Sequence, residues 1–245
     1  MPVFADIHNH SLFGVDDGAK TQEIAEKMIA ASYAEGVRYL CLTPHHHPGY
    51  FHTSREEIEA AYAALVAFAK ENYPDLTLVL GNEIFGYSEW LSALQNGTAR
   101  TLGGSDTVLL EFHDHDSYTY IRDRLLAVQA SGYTPVLAHA ERYDCLYQDP
   151  LRVEELVQHR VAIQINAATL TEGIFSSERR FARRLLRRGL VSIIASDAHS
   201  LDHRPPTLLP AYAVVRRICG AACADRLFYE NPRSLLAVGK EKEKV

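Results

Sequence analysis

The chain has no long apolar run, no Cys-x-x-Cys pair and no surplus of positive charge, and each absence excludes a class of protein. A membrane-spanning helix needs roughly 18 or more consecutive apolar residues, so no span is expected. The four cysteines form no dense disulfide framework, which predicts a reduced, cytoplasmic protein. The formal net charge of −6 argues against a dedicated nucleic-acid-binding protein. A strand-like run begins at Val3 and leaves no space for a signal peptide.

Short apolar runs alternate with helical patterns along the chain, which indicates parallel βα units. Seven runs are predicted as strands: Val3–Ala5, Tyr39–Leu42, Thr77–Leu80, Thr107–Leu110, Pro135–Ala138, Val161–Asn166 and Val191–Ala195. Helices are predicted at 21–35, from Ser54 onward, at 117–131, 149–159 and 178–188, and within 206–238. A length of 245 residues suits an α/β barrel, and the composition favours a single domain over residues 1–245.

Side chains of metal-ligand types follow six of these seven runs. The clusters are Asp6-Ile7-His8-Asn9-His10, Thr43-Pro44-His45, Gly81-Asn82-Glu83, Glu111, His139 and Asp197-Ala198-His199. In a parallel α/β barrel the active site gathers at the carboxyl ends of the strands, so these side chains are expected to meet. They are too many for one ion, which predicts a multinuclear hydrolytic centre.

Two of the clusters place a pair of ligand types two residues apart. In a strand, side chains at spacing two point to the same side, so His8 and His10 can bind one ion. The alternative is a pair of surface histidines, and the flanking Asp16-Asp17-Gly18 favours the metal site. Asp197 and His199 repeat the same spacing, which supports the same interpretation.

One histidine and two glutamates at other strand ends are further ligand candidates. In the run His45-His46-His47 neighbouring side chains diverge, so His45, nearest to the strand end, is favoured. His46 and His47 are predicted to be pocket or surface residues. Glu83 and Glu111 have two interpretations, solvated loop residues or carboxylates that bridge two cations, and the second fits the other strand ends.

Two arginines follow ligand candidates in equivalent positions. Arg142 comes three residues after His139, and Arg204 comes five residues after His199. Each can hold a phosphate by a bidentate fork, or it can form a salt bridge on the rim of the site. Two such positions favour anion binding.

A further basic cluster lies in the predicted helix at 178–188. Its members are Arg179, Arg180, Arg183, Arg184, Arg187 and Arg188, which fall in two stripes at i, i+4 spacing. The first interpretation is a solvated outer face of the barrel, and the second is a docking patch for an acidic partner.

Taken together, the motifs resemble the nine-ligand set of the PHP (polymerase and histidinol phosphatase) superfamily. The matching positions are His8, His10, Asp17, His45, Glu83, Glu111, His139, Asp197 and His199. The motifs 110–112, 139–144, 195–199, 204–206 and 229–233 are similar to bacterial PHP-type protein-tyrosine phosphatases of capsule and exopolysaccharide gene clusters. The resemblance covers residues 3 to about 236, and His46, His47 and His203 are outside its ligand pattern.

The resemblance implies a distorted seven-stranded barrel that binds three divalent metal ions, with manganese expected first and iron or zinc as alternatives. It implies hydrolysis of phosphotyrosine on a tyrosine autokinase, with Arg142 and Arg204 on the phosphate and His199 as a possible proton donor. None of the four cysteines has an Arg six residues downstream, so a thiol-phosphate intermediate is not expected.

Two other hypotheses remain open. One is a small-molecule phosphatase of the same superfamily, such as one acting on histidinol phosphate. The other is a non-catalytic PHP scaffold of the kind fused to polymerases, against which the complete ligand set argues.

Overall fold

The computed structural model describes residues 2–171, 173 and 176–236, in which strands and helices alternate as the sequence predicts. The strands are β1 (Phe4–Asp6), β2 (Val37–Leu42), β3 (His45–His46), β4 (Thr77–Leu80), β5 (Glu83–Phe85), β6 (Thr107–Glu111), β7 (Thr134–Leu137), β8 (Ala162–Asn166) and β9 (Ile193–Ala195). The α-helices are α1 (Gln22–Glu35), α2 (Arg55–Asn72), α3 (Trp90–Asn96), α4 (Tyr118–Ala130), α5 (Asp144–Gln148), α6 (Leu151–Gln158), α7 (Ala167–Thr171), α8 (Ser177–Arg187), α9 (Leu209–Cys219), α10 (Ala221–Asp225) and α11 (Asn231–Ser234).

The helices predicted to begin near Thr21 and Ser54 are confirmed, and each begins at a capping residue. Ser54 forms a capping box with Glu57 at the start of α2, and Thr21 caps α1 by accepting from the N–H of Ile24. Gly36 ends α1 with φ 107°, a conformation that glycine adopts at little cost. The region predicted as helical at 206–238 contains α9, α10, α11 and a π-helical segment (Arg226–Glu230), and residues 237–238 lie outside the described residues.

The strands form a curled parallel sheet of the TIM-like kind, in two parts. The orders are β1-β2-β4 and β3-β5-β6-β7-β8-β9, and every strand pair is parallel. A bridge between Asn9 and Ala198 joins the ends that follow β1 and β9.

The expected count of seven strands is not confirmed, because a further short strand segment follows each of two predicted strands. Thr43 and Pro44 separate β2 from β3, and Gly81 and Asn82 separate β4 from β5. Proline lacks the N–H that a ladder needs, which explains the first break. The described residues therefore contain nine strand segments, in parts of three and six.

The core lies on both faces of the sheet, since both faces of a parallel sheet are covered. Side chains from most strands and from the helices between them pack there without solvent exposure, among them Phe4, Leu40, Leu110, Leu137 and Ile194. Among the described helices, none has both the length and the apolar character that crossing a bilayer requires. The parallel arrangement directs the carboxyl ends of the strands to one edge, where the polar clusters lie.

Candidate metal centre

Four side chains from three strand ends converge in a buried cluster. The Nε2 of His8 lies 3.1 Å from Glu83 Oε2 and 3.2 Å from Asp197 Oδ1. The Nε2 of His10 lies 3.3 Å and 3.6 Å from the same two oxygens. All four side chains are at most 2% exposed. The i, i+2 spacing of the histidines therefore places both rings against the same pair of carboxylates.

The converging atoms of this cluster have no ordinary hydrogen-bond partner. His8 Nε2, His10 Nε2, Glu83 Oε2 and Asp197 Oδ1 are each buried and form no hydrogen bond within the described residues. Buried polar atoms are normally satisfied, and an orphaned atom calls for an ion or a ligand. Two imidazole nitrogens and two carboxylate oxygens within 4.8 Å of one another are donors suited to a divalent transition metal. The residues present therefore fit a cation.

A second group lies nearer to the surface and shares His10 with the first. It adds Asp17, His45 and His199, whose donor atoms also lie within 4.8 Å of one another. Asp17 Oδ1 is 3.4 Å from the Nε2 of both His45 and His199, and Asp17 is about half exposed, at 53%. This rim group therefore combines buried imidazoles with a carboxylate that water can reach.

The remaining candidates, Glu111 and His139, lie beside His45 and Glu83. His45 Nδ1 is 2.7 Å from Glu111 Oε1 and 3.1 Å from Glu83 Oε2, and these three residues form a third group. His139 Nε2 lies 3.0 Å from Glu83 Oε1 and 3.8 Å from Glu111 Oε2. All nine residues of the expected set thus meet in one place, with Glu83 between the groups.

The far sides of the His8 and His10 rings contact residues that are not in the expected ligand set. His8 Nδ1 contacts Gln164 Oε1 at 3.1 Å, and His10 Nδ1 contacts Asp16 Oδ2 at 2.8 Å. Such contacts fix the tautomer and the orientation of a ligand ring. Gln164 also accepts the backbone N–H of His139 at 2.8 Å, so one amide contacts the ring of His8 and the backbone of a second candidate ligand. The signals in the sequence are the Asp16-Asp17-Gly18 motif beside the histidines and a glutamine inside a buried strand.

Two of the candidate ligands have left-handed backbone conformations. His139 has φ 31° and Asp197 has φ 53°, which is uncommon for residues other than glycine. Such strain is retained where the surrounding structure holds it, and it clusters at functional sites. A different constraint applies at Gly18, where an added Cβ would collide with the backbone oxygen of His10. The loop that carries Asp17 therefore needs glycine to approach the histidines.

Asp197 links the buried cluster to both arginines. Its Oδ1 faces His8 and His10, while its Oδ2 accepts from Arg142 Nη2 at 3.1 Å, from Asn166 Nδ2 at 2.7 Å and from Arg204 Nη2. Both guanidinium groups also line a cavity of about 380 Å³ beside the cluster. The two interpretations of the arginines are therefore compatible, since each pairs with a carboxylate and still faces open space.

The charges of the site shift the pKa values of its members. Burial alone would lower the pKa of His8, but the carboxylates of Glu83 and Asp197 raise it to about 9. Burial and the charge of His10 lower the pKa of His199 to about 4. Burial opposes ionisation of Asp197, yet His8 and Arg142 hold its pKa well below the usual range. The carboxylate of Asp197 is therefore ionised at neutral pH, as a metal ligand must be.

The histidines that lie outside the ligand pattern line the approaches to the site. His46 Nε2 contacts Tyr87 Oη at 2.9 Å, and both line a cavity of about 650 Å³ that also reaches His45. The His47 ring lies against Phe85, with centroids 4.2 Å apart. His203 lines the cavity that holds the two arginines.

Comparison with known proteins shows which family this chain belongs to. Residues 4–237 match the family described as capsular polysaccharide synthesis, CpsB/CapC. The chain belongs to this family. It is 38% identical over 236 residues to the tyrosine-protein phosphatase CpsB of Streptococcus pneumoniae, covering 94% of this chain and 97% of that protein. It is 32% identical over 201 residues to the tyrosine-protein phosphatase YwqE of Bacillus subtilis, covering 81% and 78%.

A solved structure agrees with this assignment at the level of the fold. A crystal structure from work on YwqE of Bacillus subtilis and CpsB of Streptococcus pneumoniae superposes with a TM-score of 0.87 at 28% identity. It covers 95% of this chain and 94% of that chain, and those proteins are described as metal-dependent tyrosine phosphatases. The resemblance to capsule-associated PHP phosphatases that the sequence motifs indicated is confirmed.

Proposed function

We propose that this CpsB/CapC family protein is a metal-dependent protein-tyrosine phosphatase that regulates capsule or exopolysaccharide synthesis. The observation that carries the proposal is the set of orphaned donor atoms, which converge beside two arginines at the ends of parallel strands. The names of CpsB and YwqE support the same activity. The substrate is phosphotyrosine on a tyrosine autokinase, and the protein acts in the cytoplasm.

The nine converging residues hold three divalent ions in this proposal. Manganese is the first expectation, with iron or zinc as alternatives, because imidazole and carboxylate donors suit all three. Glu83 serves more than one ion, since its oxygens face His8, His45 and His139. The three groups of donor atoms that share His10, His45 and Glu83 support a trinuclear arrangement.

Divalent cations, when bound, neutralise the charge of a phosphate and acidify water. The residues of the chain supply the rest of the catalysis. Arg142 and Arg204 face the cavity and neutralise the charge that develops on the phosphate oxygens. Asp197 orients both guanidinium groups through one oxygen, which reduces the reorganisation that binding requires.

The leaving group of this reaction needs little assistance from a general acid. A tyrosine phenolate, with a pKa of ~10, leaves more readily than an alkoxide. His199 lies beside Asp17 and Asp197, and it is the proposed proton donor as well as a proposed metal ligand.

We also propose that the strands close into the distorted seven-stranded barrel of the PHP superfamily, in one domain over residues 1–245. Two observations support this. The segments β2 and β3, and likewise β4 and β5, follow one another after two-residue interruptions, and the Asn9–Ala198 bridge joins the ends after β1 and β9.

A substrate panel with added manganese tests the activity. Turnover is measured on a phosphotyrosine peptide, a phosphoserine peptide and histidinol phosphate. The proposal expects kcat/KM to be highest for the phosphotyrosine peptide. A preference for histidinol phosphate would favour the small-molecule phosphatase, and no turnover of any substrate by the metal-loaded protein would favour the non-catalytic scaffold.

A further inference from the structure

A cluster of arginines on α8 and α9 lies outside the proposed metal centre. Arg179, Arg183 and Arg187 fall on one stripe of α8 at i, i+4 spacing, and α8 packs against α9, which carries Arg217. We call these four residues the arginine face. Like charges at i, i+4 destabilise a helix, so the stripe has an electrostatic cost.

The arginine face lacks neutralising partners among the described residues. No carboxylate of that part of the chain lies within 4.0 Å of its four guanidinium groups, whereas the neighbouring Arg188 pairs with Glu154. Burial and the charges of Arg179, Arg187 and Arg217 lower the pKa of Arg183, which places the four groups within range of one another. In a chain with a formal net charge of −6, this concentration of positive charge is local.

Some donor atoms of the arginine face are also unsatisfied. Arg179 Nε and Nη1 and Arg183 Nε are shielded from solvent and have no hydrogen-bond partner in the described part of the chain. Unpaired buried donors are costly, and an anionic group placed over them would remove that cost. The cluster therefore favours a ligand with several negative charges over bulk solvent.

The arginine face begins beside the cavity that holds Arg142 and Arg204. Ser176, which caps α8, and Glu178 in its first turn line that cavity. From Arg179 to Arg187 the helix rises ~12 Å at 1.5 Å per residue. An extended peptide covers that length with about four residues at ~3.3 Å each. A chain that leaves the cavity can therefore continue along the arginines.

We propose that the arginine face binds an acidic segment of the protein substrate, adjacent in sequence to its phosphotyrosine, an inference that rests on the proposed phosphatase activity. Charge complementarity identifies the occupant as acidic. The contact with the cavity identifies it as part of the molecule whose phosphate lies between Arg142 and Arg204. Steering by such a patch raises association rates at low ionic strength and weakens as salt screens the charges.

Matched peptides test this with the metal-loaded full-length protein. One phosphotyrosine peptide carries three glutamates before the tyrosine, a second carries them after it, and a third carries glutamines in place of both sets. The expected result is that one glutamate peptide has a kcat/KM roughly tenfold higher than that of the glutamine peptide. This difference should decrease as the sodium chloride concentration rises. Equal kcat/KM for all three peptides would overturn the proposal.

Charge-reversal variants at exposed positions test whether the preference for acidic peptides depends on the arginine face. Arg187→Glu, and separately Arg217→Glu, should reduce the acidic preference at least about threefold, while turnover of p-nitrophenyl phosphate stays unchanged. The control is Lys70→Glu on the exposed side of α2, which changes the net charge equally and should preserve the preference. An equal loss in Lys70→Glu would show a general charge effect and would refute the arginine face.

Two binding measurements complete the test. The first detects acidic-peptide binding independently of phosphatase activity, and the second asks whether the arginine face binds a lipid membrane instead. Fluorescence anisotropy with a labelled deca-glutamate peptide should show binding that Arg187→Glu weakens and Lys70→Glu does not, even if no phosphotyrosine peptide is turned over. Sedimentation with phosphatidylglycerol vesicles provides the other comparison. Arginine-dependent pelleting without any preference for acidic peptides would overturn the proposal in favour of a membrane contact.

Discussion

The buried cluster and the rim group of the candidate metal centre use the same kinds of side chain in different surroundings. In the buried cluster, Glu83 and Asp197 are at most 2% exposed, and their facing oxygens have no hydrogen-bond partner. In the rim group, Asp17 is half exposed and contacts His45 and His199. Water can replace a lost oxygen at the rim but not in the buried cluster. We therefore expect substitutions of buried carboxylates to have the larger effects.

The largest effect is expected for Asp197→Ala. This change removes the oxygen that faces His8 and His10 and the oxygen that holds both arginines. Because two functions are lost together, kcat/KM should fall about a thousandfold or more, and bound metal should decrease. Steady-state kinetics and metal analysis check this, with Asp123→Ala on the exposed face of α4 as the control. Normal metal content in Asp197→Ala would contradict the buried cluster.

An intermediate effect is expected for Arg142→Ala and for Arg204→Ala. Each guanidinium pairs with Asp197 and faces the cavity, and neither lies among the converging donor atoms. A lost charged contact to the transition state should lower turnover about a hundredfold while the metal content stays normal. Arg→Lys should rescue turnover only in part, because an ammonium lacks the planar fork. Near-normal rates in both Ala variants would show that the arginines form salt bridges and do not stabilise the transition state.

A smaller effect is expected for Asp17→Ala, since its exposed carboxylate is the one that water can replace. The loss in kcat/KM should be roughly tenfold, and added manganese should restore part of it. Measuring activity against manganese concentration for Asp17→Ala and Asp197→Ala compares the two regions directly. If Asp17→Ala is as inactive as Asp197→Ala at saturating manganese, the prediction that buried carboxylates matter more than exposed ones is wrong.

The smallest effect on turnover is expected when all four cysteines are replaced by alanine. Cys41 is fully buried among apolar side chains, and burial raises the pKa of its thiol, so it is unreactive. The cost should be confined to packing, about 1 kcal/mol at Cys41, or a few degrees in Tm. Thermal unfolding and kinetics of the quadruple variant check this. A large loss of turnover in a folded variant would point to thiol chemistry.

Much of the fold and of the candidate site could be predicted because strand ends are marked in the sequence. An apolar run followed by His, Asp or Glu locates the carboxyl end of a parallel strand. The topology then brings positions as distant as His8 and Asp197 together. The helices at 22–35 and 55–72 were also predictable, since Thr21 and Ser54 are capping residues that act locally.

The features that escaped prediction depend on contacts between distant residues. Gln164 looks like an ordinary interior residue of β8 until the fold places it behind His8. That Arg142 and Arg204 share one oxygen of Asp197 follows from tertiary geometry and has no local signal. The interruption at Pro44 had a local signal, but whether a proline breaks a strand or ends it is decided by the neighbouring strands.

The most direct test of the central claim is the turnover of a phosphotyrosine peptide by the protein after exhaustive chelation, before and after manganese is restored. The orphaned donor atoms of the buried cluster predict that the metal-free protein is inactive and that manganese returns full activity. Full activity in a preparation shown to be metal-free would contradict the account.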